Sequence, residues 1–271
     1  MLWTRAKRTE VARELNDPPP VWANEHNSMK TDSMSPVINI ITANIHDLES
    51  RIEQVISWDA DIIALQETKL APHQLKDVHA VAKKQNWTLL HGRPCPSATA
   101  GDARKRRRTS AVQAANSGGV AILIKHPRQP IEHEYNDRDK RLHDSGRWQR
   151  AKVPLSHTAG NLTISCIYGI SGARSNERKQ KMNEALLSDA IAEVIEAGSE
   201  PRILVGDGNI DPEESKAIAS AVEAGCLVDV GHAWANNIVE DEEGNAVKKP
   251  TPTYSSGTPL RRHDWTWRVA H

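Results

Sequence analysis

With 271 residues, 38% hydrophobic and 26% charged, the chain can bury the core of one large domain or two small ones and has the composition of a soluble globular protein. Lysine plus arginine equals aspartate plus glutamate at 35 each, so any field that steers a charged partner has to be local. Three cysteines without CxxC spacing (Cys95, Cys166, Cys226) exclude a closed disulfide framework. No apolar run is long enough for a bilayer, and Met1 to Glu14 has no signal-peptide core, so a soluble intracellular protein is expected, nucleus or cytoplasm undistinguished.

Residues 1–36 carry Asn16-Asp17-Pro18-Pro19-Pro20 and no sustained period, which predicts a flexible N-terminal extension ahead of a domain over 37–271. The run Val37–Ala43 predicts a strand, and Asp47 is placed to cap a short helix with Leu48, Ile52, Val55 and Ile56 on its apolar face. Ala60–Leu65 is a near-continuous apolar run, as a strand covered on both faces requires. A helix is expected around 72–84 and a strand at 86–91. Residues 92–117 read as a long loop carrying the basic run Arg104-Lys105-Arg106-Arg107-Arg108. A strand at 118–124 follows, then two weak strands between 131 and 154, and an alternating strand at 161–168. Helical spacing of Met182, Leu186, Leu187, Ala190, Ile191, Val194 and Ile195 predicts a helix over 177–197, with Gly198 as its C-terminal cap. Arg202–Asp207 reads as another buried strand. Asp211 with Glu214 forms an acidic capping box with Pro212 at the first helical position, and Gly225 closes that helix. Strands are expected at 226–230 and 264–269, separated by a polar segment that includes Glu240–Glu243. Interleaved strands and helices, with strands in the majority, argue for an α/β architecture of packed sheets with helices outside.

Polar side chains recur where these buried strands end: Asn44, Glu67, Tyr168, and Asp207 with Asn209, while Asp264 opens the terminal strand. Strand ends are where loops gather a site on a rigid scaffold, and carboxylates there suit a hard divalent cation, which takes one or two of them plus water and phosphate. Taken singly, each residue has a plainer reading. Glu67 can open a loop, Asn44 can cap the following helix, Tyr168 can be core, and Asp207-Gly208-Asn209 can be a simple turn.

The ordered series Asn44, Gln66-Glu67-Thr68-Lys69, Tyr168, Gly206-Asp207-Gly208-Asn209 and Arg262-His263-Asp264-Trp265 resembles that of the endonuclease/exonuclease/phosphatase family. Apurinic endonucleases, deoxyribonuclease-I-like enzymes and retroelement endonucleases belong to that family, and the likeness spans roughly residues 37 to 271, with a lean toward the retroelement type. The resemblance implies a four-layer, deoxyribonuclease-I-like fold: a two-sheet β-sandwich flanked by helices. It implies magnesium- or manganese-dependent phosphodiester hydrolysis, with nucleic acid as partner. Glu67 would be the principal metal carboxylate with Asn44 beside the metal. Asp207 would orient or deprotonate the attacking water, Asn209 would position the phosphate, and Tyr168 would donate to a phosphate oxygen. Asp264 would hold a histidine in its working tautomer.

Some positions depart from the family pattern. An Asp-His pair is expected some tens of residues after Asp264, yet only residues 265–271 follow, which implies a chain without the last strands and the terminal catalytic histidine. His46 stands where an acidic or amide residue is usual, Ser171 where an asparagine is, and Gly208 where an inward phenylalanine is, which predicts a loosened turn. Two alternatives stay open: a non-catalytic remnant that at most binds nucleic acid through residues 104–108, and a relative acting on a lipid or small phosphoester. Adjacent His263 and Asp264 point to opposite faces of a strand and do not form a dyad.

Overall fold

The computed structural model describes residues 38–94, 118–132, 134–155, 160–196 and 200–230, together with the backbone of 9–10, 237–240, 246–249 and 264–269. Two five-stranded sheets lie face to face. The first has the order β1 (Thr9–Glu10), β2 (Asn39–Asn44), β3 (Ile62–Gln66), β5 (Val120–Lys125), β4 (Trp87–His91). The second runs β6 (Trp148–Pro154), β7 (Asn161–Tyr168), β8 (Arg202–Asp207), β12 (Asp264–Val269), β9 (Leu227–Asp229). Both repeat one pattern: the second and third strands are parallel, β2 with β3 and β7 with β8, and every other pairing is antiparallel.

The period-2 alternation of the strands builds three apolar layers. Ile62 and Ala64 of β3, with Val120, Ile122 and Ile124 of β5, face Ala151, Val153, Leu162, Ile164 and Val205 of the opposite sheet. Their neighbours Ile63, Leu65, Ala121 and Leu123 turn outward onto α1 (Ile52–Ile56) and α2 (Leu75–Lys84). On the far side, Trp148, Ile167 and Leu204 pack under α3 (Asp137–Asp144), α4 (Glu177–Glu196) and α5 (Lys216–Glu223). All five residues of β3 are buried, which is why it reads as a continuous apolar run. Helix, sheet, sheet and helix make the four layers expected, and among the described residues no helix is long and apolar enough to cross a membrane.

Several local expectations are corrected. Between 131 and 154 the two weak strands are one helix and one strand, α3 and β6, with Ile131 making only a single bridge to Lys152. In α3 the buried positions are Asp139 and Leu142 alone, so periodicity could not show it. Polar groups hold it instead. Asp139 accepts from Trp148 Nε1 at 2.8 Å and pairs with Arg150 at 2.6 Å, and Arg150 also reaches Glu193 of α4 at 2.6 Å. Asn136 caps the helix by accepting from the Asp139 amide at 2.8 Å and donates to Glu193. The capping box is also displaced. Asp211 opens a 3-10 turn, Pro212–Glu214, without a side-chain cap bond, and α5 is capped by the Ser215 hydroxyl, which accepts from Ile218 N at 3.4 Å. Asp211 pairs with Arg174 at 3.1 Å instead. Gly225 does close α5, with φ of 70°.

Within the segment read as merely polar, β10 (Asn237–Glu240) and β11 (Ala246–Lys249) form an antiparallel hairpin. Inside the expected N-terminal extension, Thr9–Glu10 pairs with Asn39 and Ile40 at the edge of the first sheet. The basic run 104–108, Cys95 and Gly198 lie outside the described residues.

Candidate active site

The two parallel pairs decide where the polar residues go. Parallel neighbours in register end side by side, so β2 and β3 deliver Asn44 and Gln66-Glu67 together, and β7 and β8 deliver Tyr168 opposite Asp207. The sheets stack with these ends adjacent. Asn44 Nδ2 donates within its own sheet to Glu67 Oε1 at 2.9 Å and across the seam to Asp207 Oδ2 at 3.1 Å. Tyr168 OH donates to the same Glu67 oxygen at 2.9 Å and lies 2.6 Å from Ser171 Oγ. Five of the residues singled out from sequence therefore share one site: Asn44, Glu67, Tyr168, Asp207 and Asn209. Asp264 joins through its backbone, since β12 pairs with β8 in a register that sets Asp264 opposite Asp207. Residues 104–108 lie outside the described residues.

Three residues that the sequence reading did not assign to the site touch it. His46 Nδ1 is 2.6 Å from Glu67 Oε2, and Lys69 Nζ is 3.2 Å from that oxygen. Behind Tyr168, buried Arg147 places its guanidinium 5.1 Å from the ring centroid and donates to the carbonyl of Gly169 at 2.6 Å. Lys69 belongs to the Gln66-Glu67-Thr68-Lys69 motif, and His46 is a departure from the family pattern. Nothing in spacing or periodicity marks Arg147, whose partners are backbone carbonyls distant in sequence.

Each half of the site is held by its backbone. Glu67 and Lys69 adopt left-handed conformations (φ 54° and 51°), uncommon outside glycine. The turn is fixed because Thr68 N and Lys69 N donate to the carbonyls of Gly119 and Gly118 at 3.2 and 2.8 Å. A Cβ on Gly119 would sit 2.5 Å from Thr68 Oγ1, so the paired glycines that open β5 are what lets this turn dock. In the other half, Asn209 (φ 52°) donates its amide N–H to Asp207 Oδ1 at 2.9 Å and its side-chain N–H to Gly169 O at 3.0 Å.

Gly208 does not loosen this turn. Its carbonyl accepts from buried Asn183 Nδ2 at 3.0 Å and abuts Gly169, where an added Cβ would lie 2.1 Å from the Gly208 oxygen. The loop is held by backbone contact and an amide in place of the inward aromatic ring of the family pattern.

Burial by itself would raise the Glu67 carboxyl. Hydrogen bonds from Asn44, Tyr168 and His46, with the His46 charge, outweigh it and lower the pKa to about 2. Glu67 is therefore an anion at neutral pH. Tyr168 is pushed well above the usual phenol range, first by burial and then by the Glu67 and Asp207 charges, against an opposing bond from Ser171, so it stays a proton donor.

Among the described residues no cluster of three or more His, Cys, Asp or Glu side chains is arranged around a metal position. The donors present are mixed: the carboxylates of Glu67 and Asp207, the imidazole of His46 and the amide of Asn44. Asn44 Oδ1 is buried and has no hydrogen-bond partner among the described residues, which costs about 1–3 kcal/mol unless something else meets it. Two carboxylates and a spare amide oxygen fit a hard cation that keeps part of its water shell.

Residues 33–269 match the model of the Endonuclease/Exonuclease/phosphatase family. No curated protein matches the chain in sequence. Among solved structures, the chain is similar to an AP endonuclease from Archaeoglobus fulgidus (16% identity, TM-score 0.54, covering 85% of this chain and 86% of that one). It is also similar to the human nocturnin catalytic domain (13%, TM-score 0.55, 88% and 85%). A third likeness is to the 3′ phosphatase NExo from Neisseria, bound to a product DNA hairpin (17%, TM-score 0.51, 86% and 86%). At these identities the likeness is one of fold.

Proposed function

Because the chain belongs to the endonuclease/exonuclease/phosphatase family, we propose that it is a divalent-cation-dependent phosphodiesterase acting on nucleic acid, DNA or RNA. One observation carries the reading: the Asn44 amide spans the seam between the sheets and touches Glu67 and Asp207 at once. Two carboxylates from distant parts of the chain, one of them held far below its ordinary pKa, form a compact anionic centre beside a phenol that keeps its proton.

In this reading Glu67 and Asn44 hold magnesium or manganese, and the bound cation supplies Lewis-acid stabilisation of charge on the phosphodiester oxygens. The chain's own groups do the rest. Asp207, with one oxygen on Asn44 and the other on the Asn209 amide, is oriented to accept a proton from an attacking water. Tyr168 supplies a neutral O–H donor to a phosphate oxygen, positioned by Ser171 and by Arg147 behind its ring. Asn209 uses one side-chain N–H on Gly169 and has a second for phosphate. Asp264, which the strand register sets opposite Asp207, would by the family resemblance hold a histidine in its working tautomer.

Magnesium-dependent nicking of supercoiled plasmid by the purified chain tests this. Glu67→Ala and Asp207→Ala should each remove it, and unchanged cleavage in both would refute the site. Parallel assays on RNA, a phosphoinositide and a small phosphate monoester assign the substrate class.

A further inference from the structure

We infer that His46 is itself a cation ligand, and that it tilts the site toward later first-row transition ions and away from magnesium. The inference rests on the reading of Glu67 as the metal carboxylate. The two Glu67 oxygens are used differently. Oε1 accepts from Asn44 and Tyr168, whereas Oε2 faces the exposed mouth, where His46 Nδ1 approaches to 2.6 Å. Two donors on one ion, each about 2.1 Å from it and at right angles, stand about 3.0 Å apart. An outward shift of a few tenths of an ångström would therefore seat both.

The placement of the ring is not a by-product of packing, because the His46 side chain is 67% exposed. Its backbone is nevertheless held in the left-handed region (φ 63°), between Ile45 N donating to Gln66 O at 3.1 Å and Leu48 N donating to Thr68 O at 3.0 Å. These bonds fasten the chain on either side of His46 to the last residue of β3 and to the turn after it, on both sides of Glu67, itself left-handed. Two side chains aimed at one point from constrained backbones is how strain is distributed at ligand sites. Lys69 shares Oε2 at 3.2 Å, but its long, partly exposed side chain can withdraw as a divalent ion enters. Magnesium prefers an all-oxygen shell, whereas imidazole suits iron, nickel, copper and zinc, and cobalt serves as their spectroscopic probe.

The test is calorimetric titration of the full chain with Co²⁺ and with Mg²⁺ at about pH 7.5, where an ordinary imidazole is mostly neutral. Proton NMR of the Co²⁺ complex is recorded alongside. The wild type should show a hyperfine-shifted, exchangeable imidazole N–H that is absent from His46→Gln, and His46→Gln should bind Co²⁺ about tenfold or more weakly. His46→Asp should restore an oxygen shell, shifting the ratio of the two affinities toward Mg²⁺ by at least about tenfold. If both ions bind and depend on Glu67, yet the ratio and the shifted resonance are indifferent to residue 46, His46 is only a hydrogen-bond partner of Glu67 and the inference falls. If neither ion binds the wild type, or Glu67→Ala leaves both affinities unchanged, the metal-site reading fails and takes this inference with it.

Discussion

The two halves of the site are built by different means. The first sheet contributes charge: His46 and Lys69 converge on the Glu67 carboxylate, all three from left-handed backbones, and His46 and Lys69 are substantially exposed. The second sheet contributes shape. Gly169 packs against Gly208, Asn183 bridges Ile170 N and Gly208 O, and Arg147 lies under Tyr168. In the proposed reading the first half binds the ion and needs side chains that can adjust as it arrives, while the second aims a phenol and a carboxylate at the reacting atom and needs a backbone that does not move.

The sharpest way to break the contrast is Gly169→Ala. The new Cβ would lie 2.1 Å from a backbone oxygen that has no room to yield, so a loss of about 3 kcal/mol in denaturant stability and loss of cleavage are expected. A well-folded, active variant would mean that the second half is softer than described. Asn183→Ala is next. It leaves the buried Ile170 amide and Gly208 carbonyl without their side-chain partner, for about 2 kcal/mol, and should reduce kcat more than it raises KM, because Tyr168 and Asn209 lose their setting.

On the first-sheet side, His91 stands behind the Glu67 turn, 3.3 Å from Thr68 Oγ1. Burial and then the His79 charge lower its pKa to about 4 from an ordinary 6.5, against a raising backbone bond at Gly92. The unfolded chain thus takes up a proton that the folded chain refuses. The stability His91 contributes is complete above pH 6.5 and is lost as pH falls toward 4, by about 3 kcal/mol. Urea midpoints across that window should flatten in His91→Gln, and a parallel pH slope in that variant would assign the effect elsewhere. The smallest change is expected from Arg174→Ala. It removes exposed ion pairs to Asp211 and Glu214 and should cost under about 1 kcal/mol, less in high salt.

What the sequence disclosed follows the same division. β3 and β8 were legible because both faces of each strand are covered, which forces unbroken apolar runs, and Glu67 and Asp207 were legible as polar residues ending them. Asn44 could be named, though not its reach across the seam, because contact between residues 44 and 207 depends on how two sheets stack. Helix α3 was hidden because ionic contacts anchor it where apolar ones usually would. Asn183 lay inside the clearest helix, at a position periodicity treats as neutral, although it is fully buried and serves the site from there. The start of α5 was misplaced since Asp211 and Ser215 are both good caps; Asp211 pairs with Arg174, and Ser215 caps the helix.

The repeated strand pattern of the two sheets has a mechanical corollary. Each sheet can hold its own half of the cluster, but neither contains the whole, so the Asn44 bridge acts as a gauge of how the two slabs are seated. A ligand gripping both carboxylates would work as a staple across the sandwich. Tight binding there should make the entire molecule harder to unfold, by RT ln(1 + [L]/Kd), and should slow hydrogen exchange in strands of both sheets together.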